Sequence, residues 1–176
     1  MKVTVLTGGD ADERDVALAT GAQVAGALRT VGHTVRTFDT AQGLMSLAAE
    51  EALRGKGVDA LPPAERPRDR VVAEGVGVLD VPEVRGTDVF FLALHGGSGE
   101  DGTLQRILDE AGLSYTGSDP EGCRVAMDKD ASKAILRDAG VPTPDWLVDV
   151  FDPGQVERRL GLPVIVKAAH GLSLIH

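Results

Sequence analysis

KVTVLTGGDADERDVALATGAQVAGALRTVGHTVRTFD, residues Lys2 to Asp39, is the stretch from which the fold is read. Lys2 to Thr7 is a short β-branched run that closes on Gly8-Gly9, the pattern of a buried strand followed by a tight turn. Val16, Ala17, Ala19, Val24, Ala27, Leu28 and Val31 then recur at helical spacing, and Gly32 stops the helix. His33 to Asp39 alternates as a strand does. Strand, helix and strand in that order make a βαβ unit, which implies a right-handed crossover and a parallel sheet.

Outward from this unit, Leu44 to Arg54 has helical spacing. Residues 55–70 are rich in Gly, Pro and alternating charge and read as an exposed loop or insertion, and Val71 to Val81 could hold a short edge strand. Asp88 to Leu94 (DVFFLAL) is an apolar run of central-strand type. It ends on His95-Gly96-Gly97-Ser98-Gly99-Glu100-Asp101-Gly102, from which a helix over Thr103 to Ala111 starts directly. One or two helices follow over Glu121 to Ala139, then Trp146 to Val150 as a strand, Gly154 to Leu160 as a helix and Leu162 to Lys167 as a strand. These elements predict an α/β chain with a domain over 1–122 and the start of another over 123–176.

Composition bounds the function. The chain has 176 residues, 43% hydrophobic but only 3% aromatic, so its core is aliphatic. A net charge of −9 argues against general nucleic-acid binding and against docking on anionic membranes, which need basic surface. Cys123 is the single cysteine, which excludes an intramolecular disulfide. No signal peptide is visible, and no apolar run approaches the roughly 20 residues of a spanning helix. A cytoplasmic protein is expected.

Three constellations could carry chemistry. In an open parallel sheet the loops at the carboxyl ends of strands form the ligand crevice. Gly8 to Arg14 is one such loop, where Glu13 and Arg14 could hold the ammonium and carboxylate of an amino acid; Asp10, Asp12 and Glu13 could equally cap the helix. The loop is not a dinucleotide fingerprint, since that pattern needs glycines where Asp10 and Arg14 stand. His95, at the end of a buried strand and before four glycines in seven residues, could donate to a substrate carboxylate or a developing oxyanion, with Gly96 letting the backbone approach. The alternative is a histidine that only caps its strand. Lys129 and Lys133 on a helix read as solvated charges, whereas Lys167 ends an apolar strand and could reach a phosphate or snorkel to solvent. Cys123 has no His partner in sequence reach and reads as an inert thiol.

Taken together, these segments resemble the D-alanine–D-alanine ligase family of the ATP-grasp class. Phe91 to Trp146 carries that family's H-G-x-x-G-E-D-G-x-[LI]-Q segment, its Y-T-G-S turn, its M-D-K helix and its G-[VL]-P stop, in order. Val5 to Arg14 matches the opening V-L-x-G-G-x-x-x-E-R, and Leu160 to Lys167 matches the start of the ATP-binding domain. The resemblance implies an N-terminal Rossmann-like, pre-ATP-grasp domain followed by the truncated start of an ATP-grasp central domain. It implies that ATP phosphorylates one D-alanine and that the amine of a second displaces phosphate, giving the dipeptide of the peptidoglycan stem. Glu13 and His95 then take catalytic and substrate-binding roles, with Arg14 and Gly96 beside them. Lys129 and Lys167 contact ATP phosphates, and Glu100 is a structural acid. Magnesium belongs to the full-length enzyme, with its ligands expected in a C-terminal domain, and a homodimer is possible.

Departures from the family pattern bear on this expectation. Ala17 stands where a serine is usual, and residues 40–85 run longer than in short members. After Lys167 the family continues K-P-x-x-x-G-S-S, whereas this chain reads AAHGLSLIH, so Ser173 is not equated with the substrate-contacting serine and Leu172 to His176 look foreign to a ligase. The chain by itself is therefore expected to be an inactive piece. The competing readings are a free-standing amino-acid or nucleotide-binding module, and an ATP-grasp ligase that takes D-lactate or D-serine second.

Overall fold

Strands β1 (Lys2–Thr7) and β2 (Thr34–Asp39) lie side by side in parallel, in register from Lys2 opposite Thr34 to Thr7 opposite Asp39, joined by helix α1 (Arg14–Thr30). This is the βαβ unit that the opening residues predict. The structure is a computed structural model that describes residues 1–55, 67, 81–150 and 152–170. Two short strands complete the sheet: β3 (Gly43–Leu44), antiparallel to β2, and β4 (Val89–Leu92), parallel to β1. The strand order is β3-β2-β1-β4, so the sheet is mixed rather than wholly parallel. Helix α2 (Leu47–Gly55) starts later than its periodicity suggests because Gly43 and Leu44 pair with Asp39 and Phe38 first.

Side-chain alternation sorts the core onto two faces of this sheet. Val3, Val5 and Val35 pack with Ala25 of α1 on one face. Leu6, Phe38 and Phe90 pack on the other with Leu104 and Leu108 of helix α3 (Thr103–Glu110). Past β4, Tyr115 bridges Phe90 in parallel: the Phe90 N–H donates to the Ser114 carbonyl at 2.8 Å and the Thr116 N–H to the Phe90 carbonyl at 3.0 Å. Both open sides of β4 are therefore used.

This strand order sets the position of the candidate site. The chain leaves β1 through α1 to reach β2 on one side, while β4 lies on the other. Such a reversal opens a crevice beyond the carboxyl ends of the two strands that flank it, here β1 and β4.

The chain divides into two compact units, Met1–Cys123 and Arg124–His176. Helices α4 (Pro120–Met127), α5 (Lys129–Asp138) and α6 (Pro153–Leu160) follow the expected helical stretches. The two strands expected over Trp146 to Val150 and Leu162 to Lys167 are corrected: neither forms one, and Ile165 and Val166 are 84% and 91% exposed. A β-branched run becomes a strand only when a neighbour takes up its N–H and C=O groups. No neighbouring strand does so among the described residues. The edge strand expected within Val71 to Val81 lies, apart from Val81, outside the described residues, as do the loop expected over 55–70, except Gly55 and Pro67, and Leu172 to His176.

Candidate functional site

The loop after β1 is shaped by a backbone position that only glycine fits without strain. Gly8 has φ +76°, and a Cβ on it would lie 2.3 Å from Asp39 Oδ1 and 2.8 Å from Arg14 Nη1. The loop passes over the end of the sheet and enters α1 at Glu13, whose carbonyl accepts the first helical bond from Ala17 N–H at 2.9 Å. The Glu13 side chain does not cap the helix, which disposes of the capping role left open for it. Among the described residues its carboxylate has neither a hydrogen bond nor an ion-pair partner.

That carboxylate faces the second loop. Gly96, with φ +71°, is where the chain leaves His95, and a Cβ there would stand 2.6 Å from Glu13 Oε2 and 3.2 Å from the Ala11 methyl. Glycine is required on both counts: the positive φ and the close passage of the Glu13 carboxylate. Glu100 holds the turn by accepting from the Gly96 N–H at 2.9 Å, and Asp101 Oδ1 accepts from the Thr103 N–H at the head of α3 at 2.9 Å. Glu13, His95 and Gly96 are thus gathered at one edge of the sheet, at the carboxyl ends of β1 and β4. His95 is half-buried, with Nε2 3.2 Å from Thr20 Oγ1 on α1.

Arg14 departs from the expectation of a carboxylate handle. It is 5% exposed and forks onto Asp39 at the end of β2, Nη1 donating to Oδ1 at 3.0 Å and Nη2 to Oδ2. Nη1 also donates to the Gly9 carbonyl at 2.6 Å. A guanidinium placed in this way is spent on holding the loop to the sheet. Ala17, at the position where a serine was expected, is fully buried against β1, and its carbonyl accepts from Thr7 Oγ1 at 2.5 Å.

In the second unit, Asp128 caps α5 by accepting from the N–H groups of Asp130 and Ala131, both at 3.0 Å. The Lys129 N–H donates to the Ala169 carbonyl at 3.0 Å, and Asp128 and His170 form an antiparallel bridge. The chain just after Lys167 therefore returns to the start of α5, where Lys129 is the first helical residue. The Lys167 side chain is exposed. Trp146 lies across the same helix: its Nε1–H donates to Asp130 Oδ1 at 2.7 Å, while Arg137 and Lys133 stack 4.2 and 5.0 Å from the ring centre. Lys133 thus has a packing role.

The Cys123 thiol is pushed above its ordinary pKa, first by burial and then by Asp119 and other nearby carboxylates, which suits an inert thiol. No group of three or more His, Cys, Asp or Glu side chains converges as a metal site among the described residues. Sequence reasoning missed Thr20 and Asp39. The signal for Thr20 was available, since Glu13, Ala17 and Thr20 follow the i, i+4, i+7 spacing of one helix face.

Comparison with known proteins bears on this geometry. A family model described as D-ala D-ala ligase N-terminus matches residues 2–118. The D-alanine–D-alanine ligase of Verminephrobacter eiseniae (strain EF01-2) is 37% identical over 182 residues, covering 99% of this chain and 45% of that protein. The D-alanine–D-alanine ligase of Laribacter hongkongensis (strain HLHK9) is 38% identical over 178 residues, covering 98% and 46%. The chain spans about half the length of the curated relatives it matches. The solved D-alanine–D-alanine ligase from Coxiella burnetii superposes with a TM-score of 0.67 at 24% identity, over 92% of this chain and 50% of that one, a likeness of fold.

Two outcomes follow from these contacts. Asp39→Asn leaves the buried Arg14 guanidinium without a counter-charge and is expected to cost about 3 kcal/mol in urea unfolding, whereas a loss below about 1 kcal/mol would show the pair to be dispensable. The Asp128 carboxyl is held below its ordinary value of 3.8, first by the Ala131 N–H, with the Asp130 N–H and the charges of His170 and Arg124 adding to it against the opposing effect of burial. Its stabilising effect is therefore present above pH 3.8 and is lost as pH falls through the lower folded value. Carboxyl-carbon NMR should give a midpoint below 3.8 for Asp128, and a midpoint at or above it would contradict the cap.

Proposed function

We propose, for a chain that belongs to the D-alanine–D-alanine ligase family through the match of its residues 2–118, that it supplies the first D-alanine site and part of the ATP site of such a ligase. The observation that carries this reading is the Glu13 carboxylate, unpartnered among the described residues and set against Gly96 in the crevice between β1 and β4. A carboxylate in that setting suits an ammonium ion, which presents three donors and no acceptor. His95, at the end of the neighbouring strand, suits the other end of an α-amino acid. Its imidazole can donate to the carboxylate and to the oxygen that gains charge as that carboxylate is phosphorylated.

In the proposed reaction the D-alanine carboxylate attacks the γ-phosphorus of ATP, giving an acyl phosphate and ADP. The amine of a second D-alanine then attacks the acyl carbon, the tetrahedral intermediate collapses, and phosphate leaves as the peptide bond forms. Glu13 holds the first substrate by its ammonium so that this amine is not the nucleophile. Gly96 leaves room for the substrate because it carries no side chain. Arg14 acts at one remove, fixing the loop that carries Glu13.

For ATP the proposed holders are Lys129 and Lys167. The hydrogen bond from Lys129 N–H to Ala169 and the bridge between Asp128 and His170 support this, because they bring the two stretches of chain together at the head of α5. Point charges at such a position suit phosphate oxygens. Magnesium would shield the phosphates when bound, and no step is assigned to it through residues of this chain.

The test is ligase assay of the full-length protein encoded by the genomic reading frame that contains this sequence. D-alanine-dependent phosphate release is expected, and Glu13→Gln and His95→Gln should each lower kcat/KM by on the order of a hundredfold. A full-length protein that releases no phosphate with D-alanine, or that tolerates both substitutions, would refute the reading. An authentic stop after His176 would favour the binding-module alternative.

A further inference from the structure

Thr20 belongs to no motif that the family resemblance brings forward, yet among the described residues its side chain is the one hydrogen-bonded to the candidate histidine. Its hydroxyl lies 3.2 Å from His95 Nε2 across 75 residues of sequence. Among the described residues this is the only hydrogen bond of either side chain, so His95 Nδ1 has no partner. Thr20 is also rigidly carried. The next residue, Gly21, is packed so closely on β1 that a Cβ there would lie 2.5 Å from Thr7 Oγ1, and Ala17, one turn back, is fully buried. The hydroxyl is therefore presented from a part of α1 that is packed closely onto the sheet, which is what a precise positioning contact needs.

We propose that Thr20 is the positioning residue of His95, donating to Nε2 when an amino acid is bound and so stabilising the tautomer whose Nδ1–H is presented to its carboxylate. The inference rests on the proposed function and deepens it. A neutral imidazole has one N–H donor and one bare acceptor nitrogen. A carboxylate can only accept, so the nitrogen that faces it must carry the proton. With Nδ1 protonated, Nε2 is the acceptor, and its partner must then be a donor. A threonine hydroxyl meets that need, whereas a backbone carbonyl in the same place would enforce the opposite tautomer. A hydroxyl can also accept from an Nε2–H, so it is the carboxylate bound at Nδ1–H that makes Thr20 the donor; without the hydroxyl, Nε2 lacks its donor and the preference of free imidazole for the Nε2–H form opposes the Nδ1–H tautomer. Thr20 touches neither the substrate nor the reacting atoms, and its effect passes through the ring it holds.

The experiment compares wild type, Thr20→Val and Thr20→Ser. On the 176-residue chain with D-alanine added, nitrogen-15 NMR of the His95 ring at about pH 8 reads the tautomer directly, with His95→Gln assigning the signals. Wild type and Thr20→Ser should show a protonated Nδ1 and a bare Nε2, and Thr20→Val should move toward the Nε2–H form. In the full-length protein, Thr20→Val should lower kcat/KM for D-alanine by on the order of tenfold, and Thr20→Ser should recover most of it. A purely structural role would move melting temperature but not the tautomer, and serine would not rescue it selectively. An unchanged tautomer in Thr20→Val, or an unchanged kcat/KM despite a changed tautomer, overturns the proposal. If His95→Gln itself leaves ligase activity intact, the failure lies with the reading of His95 as a catalytic residue. If His95→Gln abolishes activity while Thr20→Val does nothing, only the role of Thr20 fails.

Discussion

The buried ion pair between Arg14 and Asp39 is the constraint on which the geometry of the crevice depends. It joins the first residue of α1 to the last residue of β2, with side chains 7% and 3% exposed. Neither charge can return to water without the loop coming away from the sheet, and taking one partner away leaves the other buried and uncompensated. The same two groups fix their surroundings. Arg14 also binds the Gly9 carbonyl, and Asp39 Oδ1 also accepts from the Ala41 N–H at 2.9 Å. Gly8 has no side chain because one would collide with this pair. With Gly8 and Gly9 so bound, the loop enters the helix at Glu13, whose carboxylate lies against Gly96.

A division of labour between neighbouring residues follows. Glu13 and Arg14 stand side by side in sequence and could both have faced a ligand. The helix start sends them in different directions: Arg14 down into the sheet, where it pairs with a carboxylate, and Glu13 toward the loop after β4, where among the described residues it has no hydrogen-bond or ion-pair partner. Paired charge gives rigidity, and the neighbouring charge, without a partner among the described residues, is the one proposed to bind. In the second unit Asp128 and Lys129 repeat the arrangement in part. Asp128 is consumed as the cap of α5, while the adjacent Lys129 uses its backbone to hold the chain beyond Lys167.

Much of this was legible in the residues themselves. Local pattern located these elements: β1 as a β-branched run closing on Gly8-Gly9 and buried on both faces, α1 by helical spacing, β2 by alternation, and α3 as the helix that starts from the glycine-rich loop. Glu13 and His95 were legible because each follows a buried strand, and the ends of parallel strands are where ligands sit. What escaped was everything set by a distant partner. Nothing near Arg14 announces Asp39, 25 residues on, and a threonine on a helix looks ordinary until a histidine 75 residues away is found beside it. The antiparallel pairing of Gly43 and Leu44 was masked by helical spacing in the residues that follow. Leu162 to Lys167 has the composition of a strand, but composition cannot supply the neighbouring ladder that a strand requires.

The central claim is that the crevice between β1 and β4 receives D-alanine. The most direct measurement is an amide chemical-shift titration of the isotopically labelled chain with D-alanine, with L-alanine as the stereochemical control. The amides of Gly9 to Glu13 and Gly96 to Gly99 are expected to move together with D-alanine, and to move less with its mirror image. Shifts confined to other parts of the chain, or equal responses to both enantiomers, would contradict it.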